Sequence, residues 1–150
     1  MAPFYRDPRL AGLLAGLRWR VRPEHYALVG LDAREQIVAL RLLAGLRATF
    51  WQVTVEPEMI TLLVEERDWR DLAPAFTRPR VQRPMRIISF DIDLPPDLVG
   101  FMAMLTDAIA AMGVSLLAVC SFNQDHLVVR EQDLDAVGAA LDRLVTDASE

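Results

Sequence analysis

The sequence contains no lysine, and each of its 16 basic residues is an arginine. The absence of lysine excludes Schiff-base chemistry and the lysine of a P-loop nucleotide site. The single cysteine, Cys120, excludes an internal disulfide. No apolar run approaches the roughly 18 residues that cross a bilayer, and the first residues lack the basic-then-apolar order of a secretory signal. We therefore expect a reduced, cytoplasmic protein without membrane contact.

Histidine and glycine are also sparse, with 2 and 7 residues. A metal site needs three or four ligands at suitable spacing, and neither His25 nor His126 has a second histidine or a cysteine nearby in the sequence. The glycines do not cluster into a phosphate-binding loop. Cys120 stands mid-strand in an apolar run and is interpreted as a buried structural thiol. We expect no metal, no cofactor and no catalytic group.

Negative charge exceeds positive charge, with a formal net charge of −5, which argues against non-specific nucleic-acid binding. The charges are also uneven, since 14 of the 16 arginines precede Asp91. The first ninety residues therefore carry +4 and the last sixty −9. Opposite charges would help the two halves dock, within one molecule or across a dimer. The alternative is two unrelated solvated faces.

Hydrophobic spacing predicts the same order of elements in both halves. In the first half, Asp32 is expected to cap a helix at 34–46. The other elements of this half are a leading helix at 10–17, strands at 26–31, 49–55 and 59–65, and helical turns at 68–76. The second half has predicted strands at 85–94, 114–122 and 126–130, and helices at 97–112 and 133–145. Residues 77–84 are interpreted as a linker.

The predicted order in each half is strand, helix, strand, strand, helix, and each half lacks a final strand of its own. A ferredoxin-like unit needs four strands, so the missing ones must come from the other half or from the linker. We predict an α+β fold of two tandem ferredoxin-like βαββαβ units packed together, with antiparallel sheets and helices on one face. The predicted domains are 1–80 and 81–150.

The predicted helix at 97–112 is apolar on two sides. One stripe contains Leu98, Met102, Leu105, Ile109 and Met112, and a second contains Phe101, Met104 and Ala108. A helix of this kind must be covered on both sides. The cover is either an interface, with the other half or a second subunit, or simple depth in a monomer core.

The turn before this helix is the best candidate site. A helix N-terminus suits a carboxylate, and Asp93 and Asp97 could hold an ammonium group, so together they would fit an amino-acid zwitterion. The alternative is that Asp97 is only an N-cap, Asp93 is solvated, and nothing binds. The polar cluster at 123–126 either lines a pocket or forms a hairpin turn.

Several segments resemble a bacterial family of small ACT-domain proteins, which is similar to the ACT domains of aspartate kinases and of the cytosolic arginine sensors. In the second half they are RIISFDID (86–93), LVGF (98–101), AMGVSLLAV (111–119) and QDHLVV (124–129). In the first half they are PEHYALV (23–29), ATFW (48–51) and EMITLLV (58–64). The resemblance covers most of residues 10–145.

The resemblance implies two tandem ACT-like units, a homodimer, no enzymatic activity, and binding of an amino acid or another small metabolite. ACT regulatory sites lie where the loop after the first strand meets a strand of another unit. The corresponding residues are Asp93, Pro95, Pro96, Asp97, Leu98, Val99, Gly100, Val114, Ser115, Ser121, Asn123, Asp125 and His126. The sequence departs from the family where Pro95-Pro96-Asp97 replaces a frequent Pro-Gly and where Gln124 replaces a frequent histidine.

Two other functions remain open. One is a ligand-free interaction module that pairs with itself or with an enzyme through the helix at 97–112. The other is a small ferredoxin-like enzyme such as an acyl-phosphate hydrolase, which would need an arginine and an amide at a phosphate loop. Arg86 and Asn123 supply the residue types, but no phosphate-type loop joins them.

Overall fold

A computed structural model describes residues 7–122 and 124–149. The chain forms two compact units: the inserted unit, Pro23–Arg86, and the split unit, which comprises residues 7–22 and 87–149. The helices are α1 (Pro8–Ala15), α2 (Gln36–Leu43), α3 (Glu66–Leu72), α4 (Phe101–Ala110) and α5 (Leu134–Ser149). The strands are β1 (Trp19–Val21), β2 (Tyr26–Asp32), β3 (Gln52–Val55), β4 (Met59–Glu65), β5 (Arg80–Phe90), β6 (Leu117–Cys120) and β7 (Asp125–Arg130).

The inserted unit is a sheet in the order β3-β4-β2-β5, in which β5 contributes its first residues. Antiparallel pairing of β2 with β4 runs from Tyr26 opposite Glu65 to Asp32 opposite Met59. The Asp32 carboxylate accepts the Arg34 N–H at 2.9 Å and starts the 3-10 turn before α2, as its predicted capping role requires. The core joins both helices to the sheet through Val29, Ala39, Leu43, Leu62 and Trp69.

The split unit is a sheet in which β1 and β7 both neighbour the second part of β5, and β6 forms the edge beside β7. Antiparallel pairing places Trp19 opposite Phe90 and Val21 opposite Ile88. Helices α1, α4 and α5 supply the other half of the core, because their apolar stripes pack against the strands. The helix residues buried there are Leu10, Leu14, Phe101, Leu105, Ile109, Val137, Ala140 and Leu141.

The predicted α+β, ferredoxin-like fold with an antiparallel sheet is confirmed. The missing fourth strands come from unexpected places: Arg80 begins β5 inside the predicted linker at 77–84, and β1 precedes the first strand that was predicted in the first half. The predicted division into 1–80 and 81–150 differs from the observed units, since the leading helix belongs with residues 87–149. Local composition does not reveal that residues 80–84 form a strand. They do so because the backbone groups at the open edge of β2 need hydrogen-bond partners.

The helix predicted at 97–112 is shorter, because α4 begins at Phe101 and Gly100 occupies its N-cap with φ of 99°. The two prolines before it lie in a tight turn, closed by the Leu98 N–H donating to the Pro95 carbonyl at 3.0 Å. Both apolar stripes contribute to the core of the split unit, which favours the monomer-core interpretation. None of the helices within 7–122 and 124–149 is long and apolar enough to span a bilayer.

Candidate functional site

A cavity of about 540 Å³ opens in the split unit between three pieces of chain. They are the irregular segment after β5, the first turn of α4, and the turn between β6 and β7. Its lining is largely apolar, with a few polar groups from the hairpin, which is typical of small-ligand sites. The lining residues are Leu94, Pro95, Pro96, Leu98, Val99, Gly100, Phe101, Met102, Ala103, Ser121, Phe122, Gln124 and Asp125.

The N-terminus of α4 forms one wall of this cavity. The intrahelical hydrogen bonds begin with the Met104 N–H, which donates to the Gly100 carbonyl at 3.0 Å. The amides of Phe101, Met102 and Ala103 therefore have no partner within the helix. Glycine has no side chain to cap them, and no side-chain cap is present. This wall offers backbone donors and the positive end of the helix dipole to an anionic group.

Among the described residues of the lining, Asp125 is the one that carries a charge. Its carboxylate accepts a hydrogen bond from the thiol of Cys120, which faces it across the β6–β7 ladder. This bond, together with partial burial, raises the pKa of Cys120 to about 11. The prediction that Cys120 is buried is wrong, because β6 is an edge strand and leaves the thiol exposed. At neutral pH the thiol is protonated and is a weak nucleophile.

The structure brings together seven of the residues expected at the site. They are Pro95, Pro96, Leu98, Val99, Gly100, Ser121 and Asp125. Asp93 and Ser115 are exposed and do not belong to the lining, while Val114 packs against the core of the split unit. Asn123 lies outside the described residues.

Asp97 is engaged elsewhere. Arg9 of α1 reaches it, with Nη1 lying 3.2 Å from Asp97 Oδ2, and also pairs with Asp7 at 2.7 Å. The hydrogen bond from Arg9 lowers the pKa of Asp7 to about 2. Asp97 is thus neutralised by a guanidinium, and it is not the N-cap of the helix. Neither Asp93 nor Asp97 lines the cavity, so the ammonium site expected between them does not coincide with it.

His126 is buried and does not belong to the lining of the cavity. Its Nδ1 lies 2.9 Å from Ser89 Oγ, and the Nε of Arg22 donates to the same oxygen at 3.2 Å. Burial, followed by the nearby positive charge of Arg22, lowers the pKa of His126. The neutral ring is therefore a structural element of β7, without access to a ligand.

Sequence reasoning missed the first turn of α4 as part of the lining. The missed wall of α4 consists of Phe101, Met102 and Ala103. A signal for it was present, because a glycine directly before an apolar helical stripe marks a helix that starts without a side-chain cap. Gln124 belongs to the polar cluster at 123–126, which was expected either to line a pocket or to form a hairpin turn, and it lines the cavity.

The family comparison covers the part of the chain that contains this cavity. Residues 80–143 match the model of a family described as ACT domain. This segment is similar to ACT domains. The expected resemblance is confirmed for it, and the cavity lies wholly within it. A comparison with curated protein sequences found no match.

Solved structures share the fold over most of the chain. A protein from Agrobacterium tumefaciens is 18% identical, with a TM-score of 0.70, covering 86% of this chain and 89% of its own. A Vibrio cholerae protein described as a possible transport protein is 18% identical, with a TM-score of 0.69 and coverages of 91% and 95%. The ligand-free regulatory subunit of aspartate kinase from Thermus thermophilus is 12% identical, with a TM-score of 0.63 and coverages of 84% and 95%. At these identities the likeness to the solved structures shows a shared fold alone.

Proposed function

We propose that the protein is a non-catalytic regulatory ACT-domain protein that binds an amino acid in the cavity of the split unit. ACT domains are typically regulatory and bind amino acids. The observation that carries the proposal is the pairing, in one cavity, of an uncapped helix N-terminus with a carboxylate at Asp125. These two groups complement the two charges of an amino-acid zwitterion.

The lining also selects among amino acids. The α-carboxylate would accept hydrogen bonds from the amides at 101–103, and the α-ammonium would donate to Asp125. The remaining walls, including Leu94, Leu98 and Phe101, are apolar. We therefore expect a ligand with an apolar side chain, since a charged side chain would be buried without a partner.

Calorimetric titration with the twenty amino acids tests this proposal. We expect saturable binding of one or more apolar amino acids, weakened about tenfold or more in Asp125→Asn, because one charge-assisted hydrogen bond is lost. The matched control is Asp97→Asn, which alters an exposed carboxylate of the same unit outside the lining. No binding across the panel, or equal losses in both variants, would contradict the proposal.

Edge strand β6 favours a second role in self-association. Leu117 is 43% exposed on this strand, and Phe122, just beyond it, is 106% exposed. An uncovered apolar edge is a template for pairing with another strand. We propose that two copies of the chain pair through this edge to form a homodimer.

Light scattering at micromolar concentration measures the oligomeric state directly. We expect a dimer for the natural sequence and a monomer for Leu117→Glu, because a buried charge at the edge opposes pairing. Val55→Glu provides the control, since Val55 is equally exposed but lies on edge strand β3 of the inserted unit. A monomeric natural protein would remove this role.

We also infer that the protein is not an enzyme and works in the reducing cytoplasm, where an exposed free thiol such as Cys120 persists. The raised pKa of Cys120 keeps its thiol protonated and weakly nucleophilic at neutral pH, which supports the inference that the protein is not an enzyme. Arg86, required by the acyl-phosphate hydrolase alternative, is half-buried and belongs to neither cavity described for this chain. Hydrolysis of an acyl phosphate above the blank rate would contradict the inference.

A further inference from the structure

A second cavity, of about 720 Å³, lies in the inserted unit and has a different chemistry. It opens where β2 ends, beside the turn between β3 and β4 and the segment that leads into β5. Six charged side chains contribute to its lining. They are Asp32, Arg34, Glu35, Glu58, Arg78 and Arg80. Its volume is within the range of small-molecule sites.

Two of these charges neutralise each other. Arg34 Nη2 lies 2.8 Å from Asp32 Oδ2, and its Nε donates to Oδ1 of the same carboxylate at 2.9 Å. These bonds from Arg34 hold the pKa of Asp32 well below its usual range. The two residues form a closed ion pair. The charges that remain for a ligand are two guanidinium groups and two carboxylates.

The two arginines have no carboxylate partner among residues 7–122 and 124–149. Arg80 lies over Gly30, where a Cβ atom would come within 3.8 Å of its Nε, and its Nη2 is 3.7 Å from the sulfur of Met59. Arg78 has a φ of 56°, in the left-handed region that a non-glycine residue rarely adopts. Both guanidinium groups are thus placed at the cavity and left available to anions.

Only one of the two carboxylate oxygens of Glu35 has a hydrogen-bond partner among the described residues. Its Oε1 accepts the Thr77 N–H at 2.7 Å, which ties the start of α2 to the segment before β5. Its Oε2 is buried and has no hydrogen-bond partner. A buried carboxylate oxygen without a donor is unfavourable, so a cationic donor from a ligand would be stabilised there.

We propose that this cavity binds an acidic amino acid. Arg78 and Arg80 bind its two carboxylates, and Glu35 accepts a hydrogen bond from its ammonium group. A dianion alone would leave Glu35 unpaired, and an apolar amino acid would leave one guanidinium unpaired. This site is independent of the cavity in the split unit, because the two share no residue and differ in lining chemistry.

Calorimetric titration of the full chain with L-glutamate and L-aspartate is the test. We expect saturable binding of at least one of them, weakened about tenfold or more in Arg78→Gln and in Arg80→Gln. Arg41→Gln is the matched control, because Arg41 is exposed in the same unit but outside the lining. Circular dichroism melts of each variant establish that it remains folded.

Two further titrations separate this site from its alternatives. Glutarate, which lacks the ammonium group, should bind at least tenfold more weakly than L-glutamate, whereas Glu35→Gln should bring the two affinities together. Asp125→Asn should leave the affinity for L-glutamate unchanged. The proposal is overturned by absent binding at millimolar ligand, by equal losses in Arg41→Gln, by equal affinity for glutarate, or by a loss in Asp125→Asn. That last result would place acidic amino acids in the split unit instead.

Discussion

His126 lies within β7 with 2% of its surface exposed, and its ring contacts Ser89 rather than water. The Nε of Arg22 already donates to Ser89 Oγ, so the hydroxyl proton is free to be donated to Nδ1 of a neutral ring. A protonated Nδ1 could no longer accept that proton, and the charged ring would be buried near the positive charge of Arg22. Burial, followed by the charge of Arg22, lowers the pKa of His126.

The first prediction follows from this lowered pKa. The unfolded chain binds a proton at His126 near pH 6.5, while the folded chain binds it only at lower pH. The stabilisation from the neutral ring is therefore complete above about pH 6.5 and is lost as pH falls through the folded pKa. Urea unfolding between pH 5 and 8 should show this loss, and it should be smaller in His126→Gln.

His25→Gln is the control for this measurement, because His25 is the other histidine and is exposed. Its profile should keep the slope of the natural protein. A His126→Gln profile that parallels the natural one would show that His126 does not titrate between the two states.

At the scale of elements, the start of α4 matters most, because it forms one wall of the cavity. Gly100 has φ of 99°, which an alanine tolerates poorly. Gly100→Ala should lower the free energy of unfolding by about 1–2 kcal/mol and weaken any ligand bound at the amides of 101–103. Chemical denaturation and calorimetry measure the two effects.

The matched variant is Gly12→Ala in α1. Gly12 lies inside a helix, and a Cβ atom added there would have no neighbour within 4 Å, so alanine should stabilise the fold by about 0.5–1 kcal/mol. Equal stability changes in the two variants would show that the left-handed conformation at Gly100 does not matter.

At the scale of the whole molecule, the split unit is built from two distant pieces of chain. Residues 7–22 supply β1 and α1, including the buried Leu10, Leu14 and Leu17. At about 1.5–3 kcal/mol for each buried leucine, these side chains contribute about 5–9 kcal/mol, which is comparable with the total stability of a domain. The segment that matches the ACT-domain family therefore depends on residues far outside its own stretch of sequence.

A fragment of residues 81–150 should consequently fail to fold, as judged by circular dichroism and by the dispersion of its amide NMR signals. A chain in which residues 7–22 follow residue 149 through a flexible linker of about 12 residues should fold. That order places β1 last, as the fourth strand of a ferredoxin-like unit requires. A folded 81–150 fragment would show that α1 and β1 are dispensable.

Much of the fold was predictable from periodicity alone. The strand expected at 59–65 coincides with β4, and the helix expected at 10–17 overlaps α1, because apolar residues at regular spacing report one buried face. Asp32 was predictable as a cap because a short carboxylate reaches the first free amides. The ACT resemblance was likewise readable from segments of the second half.

The candidate site was only partly predictable. The segment from Pro95 to Gly100 was assigned to it through the ACT resemblance, and its residues other than Asp97 line the cavity. The partner of Asp97 was not predictable, since Arg9 is 88 residues away in the chain. The role of Asp125 as the charged residue among the described residues of the lining also depends on how the hairpin folds back toward α4.

The sequence by itself determined most of the elements, the Asp32 cap of the 3-10 turn before α2 and the class of the fold, because these depend on residues within a few positions of one another. Tertiary structure decided which strands complete each sheet, where the units divide and which charges stay unpaired. Arg80 illustrates the difference: its surroundings suggest a linker, but the open edge of β2 makes it the first residue of a strand. Pairing over long separations is set by the backbone groups and charges that remain unsatisfied, and no local pattern records them.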